Sequence, residues 1–215
     1  MTVRHVFEHD LDELGLLISK IGAAVEKAVS RSLESLNNLD VELAEKVLVD
    51  DDIVDNLELE IVEKGMRLLA LQQPIAKDLR TVSTCLKIAT DFERIGDHAG
   101  DIAKVTKHIT GTPILKMEEI DLIANSSQVM LRMSLDAYTY QDAELAEKVI
   151  AKDDEVDDLF TLIHQKTLQV MKKEPDIIDF AVGLLSVATN LERIADHATN
   201  IAEGVIYLKT GKRVP

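Results

Sequence analysis

Two matching segments, FERIGDHAGDIAK at 92–104 and LERIADHATNIAE at 191–203, carry the residues best suited to chemistry. In the first, Glu93, Asp97 and Asp101 recur at every fourth position. On a helix advancing about 100° per residue they fall within about 80° of one another and form one acidic ridge. Carboxylates at this spacing repel, at a cost of a few tenths of a kcal/mol per pair. The second copy repeats the ridge as Glu192, Asp196 and Asn200, with a neutral amide in the third place. Stacked carboxylates are a donor set for hard cations. The competing reading is a solvated charged face, the usual fate of acids on a helix.

On the same wheel Phe92, Ile95, Ala99, Ile102 and Ala103 cluster opposite the ridge, near about 220°. The ridge is therefore expected to point away from its helix's core stripe, with Gly96 and Gly100 leaving space beside it. In the second copy Ala195 and Thr199 flank it. Two further i, i+4 pairs, Asp51/Asp55 and Asp153/Asp157, fall at the margin of an earlier apolar stripe, where a neighbouring helix should pass. Carboxylates from two helices are thus expected to converge on a cation in each copy. His98 and His197, at about 140°, sit nearer the core margin and read as hydrogen-bonded packing residues. Glu93 and His98 do not have the Glu-x-x-His spacing of ferritin-like di-iron sites. Arg94 and Arg193 either orient a ridge carboxylate or pair structurally. Asp91 precedes the first ridge, and its counterpart is Asn190. No phosphate loop, nucleophile elbow, Cys/His pair or H-E-x-x-H is present, so the reading is not an enzyme. A carboxylate-ligated metalloenzyme or metal-storage protein is the alternative.

The elements that position these residues are helices. Apolar residues recur at three- and four-residue steps, as in Leu43, Val47, Val54, Leu57 and Ile61, without sustained alternation. Only 4 prolines and 9 glycines interrupt the chain. Breaks predict six long helices near 5–37, 40–71, 75–109, 116–139, 142–172 and 176–209. Asp40, Asp142 and Asp176 are read as N-caps or first-turn acids, with Pro74 and Pro175 in first turns. LAEKVLVDDDIVDNLELEI (43–61) matches LAEKVIAKDDEVDDLFTLI (145–163), and the acidic segments match at an offset of 99. This is an all-α tandem duplication. Two three-helix bundles are expected, at 1–112 and 113–215, joined near Gly111–Glu119.

Composition narrows the partners. Hydrophobic residues make up 46% and aromatics 3%, with no Trp. This favours packed helices over a β-sandwich. The net charge of -15 disfavours nucleic acid, anionic lipid and free phosphate-type anions, and suits cations or the basic surface of a protein partner better. The densest basic cluster, Lys209 to Arg213, lies at the C-terminal end. Cys85 is the single cysteine and is expected to be buried. The opening MTVRHVFEHDLDEL is charged, and no apolar run approaches the roughly 20 residues of a membrane span. A soluble, cytoplasmic protein without membrane insertion is expected.

The segment PIAKDLRTVSTCLKIATDFERIGDHAGDIAK (74–104), echoed by LLSVATNLERIADHATNIAEGVIYLKTG (184–211), resembles the PhoU family of phosphate-uptake regulators. The resemblance covers nearly the whole chain, including the duplicated layout. It implies two three-helix bundles and a cytoplasmic, non-enzymatic role in phosphate homeostasis. The implied partners are the ATPase subunit of the phosphate ABC transporter, the membrane sensor histidine kinase, and a second copy in a homodimer. The implied action is negative regulation of phosphate uptake and of the starvation response. The family's metal-holding E/D-x-x-x-D motif falls on Glu93/Asp97, Asp97/Asp101, Glu192/Asp196, Asp51/Asp55 and Asp153/Asp157. Iron or zinc is the implied metal, with magnesium or manganese also compatible with carboxylates. Asn200 departs from the acid, which makes the second site the weaker expectation.

Overall fold

The structure, a computed structural model, describes residues 3–110 and 117–214. The expected join near Gly111–Glu119 and the 112/113 boundary lie largely outside the described residues. Six long helices follow in order: α1 (Val3–Asn38), α2 (Val41–Gln72), α3 (Ala76–Ile109), α4 (Glu118–Tyr140), α5 (Ala143–Lys173) and α6 (Ile178–Thr210). The only other regular element among the described residues is a 3-10 turn, Pro175–Ile177. The fold is all-α, as the periodicity predicts.

The duplication extends to the turns. Asp40 caps α2 by accepting from the Leu43 amide at 2.9 Å, and Asp142 caps α5 from Leu145 at 3.1 Å. Such caps contribute about 0.5–2 kcal/mol each. Each follows a residue in the left-handed region, Leu39 or Gln141, both at φ 51°. One expected feature differs. Pro74 lies outside α3, whose N-cap is Ile75. Of its two expected roles Asp176 takes that of first-turn acid: Pro175 opens a 3-10 turn that contains Asp176, and α6 starts beyond it. Proline's fixed φ and missing amide suit the first turn of a helix, where the amide has no intrahelical partner, and here it opens the tighter turn.

Helices α1–α3 pack together, as do α4–α6, and α3 lies along α6 at the centre. The central pair is antiparallel: His98 pairs with Asn190, and Asp91 with His197. Small residues permit this approach. A methyl built on Gly204 would lie 3.2 Å from Thr84 Cγ2, and one on Gly183 would lie 2.5 Å from Ile109 Cγ2. Phe92, Ile95, Ala99, Ile102 and Ala103 are fully buried, as the helical wheel predicts. Cys85 is buried too, which raises its thiol pKa. One hydrophobic core runs through both helix trios.

Candidate functional site

In each repeat the acidic ridge lies beside the second helix, where a neighbouring helix is expected to pass. The space beside the glycines is filled by α2: a methyl on Gly96 would lie 3.2 Å from Val54 Cγ1 and 3.4 Å from Asp51 Oδ1. One on Gly100 would lie 3.8 Å from Asp51 Oδ2. A methyl at Gly96 would thus crowd Val54, whereas the Asp51 carboxylate lies at ordinary contact distance from either position. A wheel gives direction around one helix but not the distance to the next.

The expected convergence of carboxylates from two helices is present electrostatically in both copies. Burial, then the charges of Asp55 and Asp97, push the Asp51 carboxyl above its ordinary range. Burial and Asp97 do the same to Glu93, against the pull of Arg94, with Asp55 and Glu58 adding to the rise. In the second repeat burial, Asp196 and Asp157 raise Asp153. Burial and Asp196 raise Glu192, opposed by Arg193, with Asp157 and Asp153 adding. Four half-buried carboxyls thus lack full compensation of their charge. Thr199, which replaces Gly100, faces Asp153, yet its buried hydroxyl lies outside hydrogen-bond geometry.

The arginines between the acids form a second repeated feature. Arg94 spans Glu93 (3.4 Å) and Asp97 (3.2 Å), and Arg193 spans Glu192 (3.5 Å) and Asp196 (3.4 Å). Lys104 pairs with Asp101 at 2.7 Å. The corresponding positions in the second copy are Asn200 and Glu203, so the third rung loses its acid and its cation together.

The donor set is all oxygen and suits hard or borderline cations. The ridge oxygens are not yet gathered into a cage, however. Among the described residues, the group of three possible ligands already within 4.8 Å of one another is His9, Asp10 and Glu13 on α1. Sequence reasoning passed over it, although the i, i+1, i+4 spacing in HVFEHDLDEL was its signal. Glu13 is already engaged by Lys64. Loading a ridge would need carboxylate rotation and release of the arginine.

The raised carboxyls have a stability consequence. A folded carboxyl with a raised pKa binds protons more tightly than the unfolded chain, so stability falls as pH rises through its titration. Asp51→Asn is expected to raise Tm by about 1–3 °C at pH 7, with the difference vanishing below about pH 4. Thermal melts across pH check this, and a lower Tm at pH 7 would contradict it.

The histidines are packing residues, as expected, but their partners lie across the repeats. His98 Nδ1 is 2.9 Å from Asn190 Oδ1, and His197 Nδ1 is 3.0 Å from Asp91 Oδ1. The two rings are 5.7 Å apart. Burial holds His98 below its ordinary imidazole range, partly opposed by the Asn190 hydrogen bond. Its contribution to stability is therefore present above about pH 6.5 and lost as pH falls.

Twin three-helix bundles, fused along antiparallel third helices and each bearing a carboxylate groove, define a class of duplicated helical proteins without a recognisable catalytic constellation among the described residues. The PhoU domain family model matches residues 18–106 and 120–205, so the chain belongs to the PhoU family. A relative from Clostridium acetobutylicum, named phosphate-specific transport system accessory protein PhoU homolog, is 41% identical over 98% of this chain and 97% of its own. A Rhizobium meliloti protein of the same name is 36% identical over 97% and 89%. The crystal structure of PhoU from Pseudomonas aeruginosa superposes with a TM-score of 0.93 at 34% identity, covering 96% of this chain and 100% of that one. The Streptococcus pneumoniae phosphate transport system regulatory protein PhoU gives 0.91 at 30%, covering 97% and 99%.

Proposed function

We propose that this chain is a regulatory accessory of phosphate transport rather than an enzyme, acting in the cytoplasm. It restrains phosphate uptake and the starvation response by coupling the transporter's ATPase subunit to the sensor histidine kinase, and it does so as a homodimer. Its relatives are named as accessories of the phosphate-specific transport system. No described helix is long and apolar enough to cross a membrane, which fits an accessory that reaches the transporter through another protein's surface. Deleting the gene is expected to derepress starvation genes in high phosphate. Normal repression in the deletion strain would refute the reading.

Metal ions on the two grooves belong to the same proposal. Asp51, Asp55, Glu93, Asp97 and Asp101 would hold them in the first repeat, and Asp153, Asp157, Glu192 and Asp196 with Asn200 in the second. Iron or zinc fits this donor set, and magnesium or manganese is also compatible. Bound cations would neutralise the grooves and bridge α2 to α3 and α5 to α6. The observation that carries this is the twice-built convergence of half-buried, mutually repelling carboxyls from two helices.

Elemental analysis of gently purified protein tests the metal reading. The Asp97→Asn, Asp196→Asn double variant is expected to lose at least half of its iron or zinc. Equal metal in variant and parent defeats the assignment. Arg94→Gln is expected to tighten zinc binding about tenfold, because it frees Glu93 and Asp97. A competitive chelator titration reads this, and weaker binding would count against it. Turnover in the purified protein, or loading far beyond a few ions per chain, would instead favour the metalloenzyme or storage alternative.

A further inference from the structure

The basic cluster at the end of the chain becomes part of a pocket only in three dimensions. A cavity of about 500 Å³ lies between α3 and the end of α6, lined by Ser83, Thr84, Lys87, Glu203, Tyr207 and Arg213 among others. Its wall is closed by the approach of α6 to α3 at Gly204, where a methyl would lie 3.2 Å from Thr84 Cγ2. Its rim is built by the chain beyond α6. Gly211, at φ 73°, ends the helix, and its amide donates to Tyr207 O at 2.9 Å. The Thr210 hydroxyl then accepts from the Lys212 amide at 3.1 Å and donates to the Lys212 carbonyl at 3.3 Å. This bend carries the Arg213 guanidinium over the Tyr207 ring, 5.8 Å from its centroid, and Arg80 lies at 5.8 Å as well.

These cations are out of character with the chain. In a protein of net charge -15, none of Arg80, Lys87 and Arg213 takes part in the ion pairs formed among the described residues. The buried Nε of Arg80 has no hydrogen-bond partner. Nor does helix packing require them. At the matching positions of the other repeat, Arg80 becomes Asp179, Ser83 becomes Val182, Lys87 becomes Ser186 and Tyr207 becomes His108. The same antiparallel contact is made there without these cations, with Lys104 standing in the place of Glu203.

We propose that this pocket binds a phosphoryl group, with Lys87 and Arg213 neutralising the charge and the hydroxyls of Thr84 and Tyr207 orienting its oxygens. The Ser83 hydroxyl stays committed to the Arg80 carbonyl at 3.0 Å. Two cations outside the ion pairs of the described residues, opposed by one carboxylate and set beside two hydroxyls, match a dianion with three oxygens better than a carboxylate, and a guanidinium fork suits phosphate. The volume falls in the range of small-molecule sites, so the group is either inorganic phosphate or the phosphate of a small organic molecule. Glu203 is the opposing charge and limits affinity. The site is separate from the acidic grooves and does not depend on metal there.

Isothermal titration calorimetry on the full chain, with inorganic phosphate and AMP as separate titrants, tests this. Saturable binding of at least one is expected. Phosphate binding assigns the free ion as ligand, and binding of AMP alone assigns an organic phosphate. Lys87→Ala and Arg213→Ala, both at exposed positions, should each weaken binding about tenfold, the loss expected for one charge-assisted hydrogen bond. Glu203→Gln should tighten it severalfold. Circular dichroism confirms that each variant is folded. Binding of neither titrant, or binding unchanged in both alanine variants, overturns the proposal.

Discussion

Phe92→Ala is expected to lower the unfolding free energy by about 3–5 kcal/mol, and to do so for both repeats at once. Phe92 is fully buried and heads the fully buried side chains by volume. It also stands where the repeats meet. A methyl on Gly22 of α1 would lie 3.2 Å from Phe92 Cζ and would collide with Leu135 of α4. The cavity left by alanine would open beneath a contact shared by α1, α3 and α4. Because one core runs through all six helices, the loss should appear as a single cooperative transition shifted down by roughly 10 °C. Calorimetry with agreement between calorimetric and van't Hoff enthalpies checks this. Two separated transitions would show that the repeats melt independently.

The second large effect concerns the clasp between α3 and α6. His197→Ala is expected to cost about 2–3 kcal/mol, because it strands the Asp91 carboxylate. Asp91 is 7% exposed, and its Oδ2 already lacks a partner. His197 Nδ1 supplies the contact made by the other oxygen. Asp91→Asn should be far milder, within about 1 kcal/mol, since Asn190 already makes the equivalent contact to His98 in the same fold. Adding Asp91→Asn to His197→Ala should therefore recover part of the loss. Urea titrations of the two single variants and the double variant give the coupling energy. Simple additivity would show that the Asp91–His197 contact carries no specific energy.

Much of the fold was legible because its signals are local. The period of Phe92, Ile95, Ala99 and Ile102 names a buried stripe regardless of what packs on it. Asp40 and Asp142 announce helix starts by bonding amides three residues on. Asp176 looked the same on paper, yet the turn begun by Pro175 placed it before the helix. In the grooves, the pairing of Asp51/Asp55 with the ridge followed from the apolar margins. The crowding at Gly96 did not, because it depends on how closely α2 leans.

Sequence by itself determined the helices, the duplication, the two acidic ridges and the family, since each is written in spacing within about 30 residues or in repetition along the chain. Tertiary structure decided which residues meet across the repeats. His197 finds Asp91, His98 finds Asn190, and Lys87 comes to the same pocket as Arg213. The physical reason is that such contacts arise from the antiparallel register of α3 on α6. Small residues far apart in the chain, such as Gly183 and Gly204, permit that register by letting the backbones approach. No local pattern encodes it.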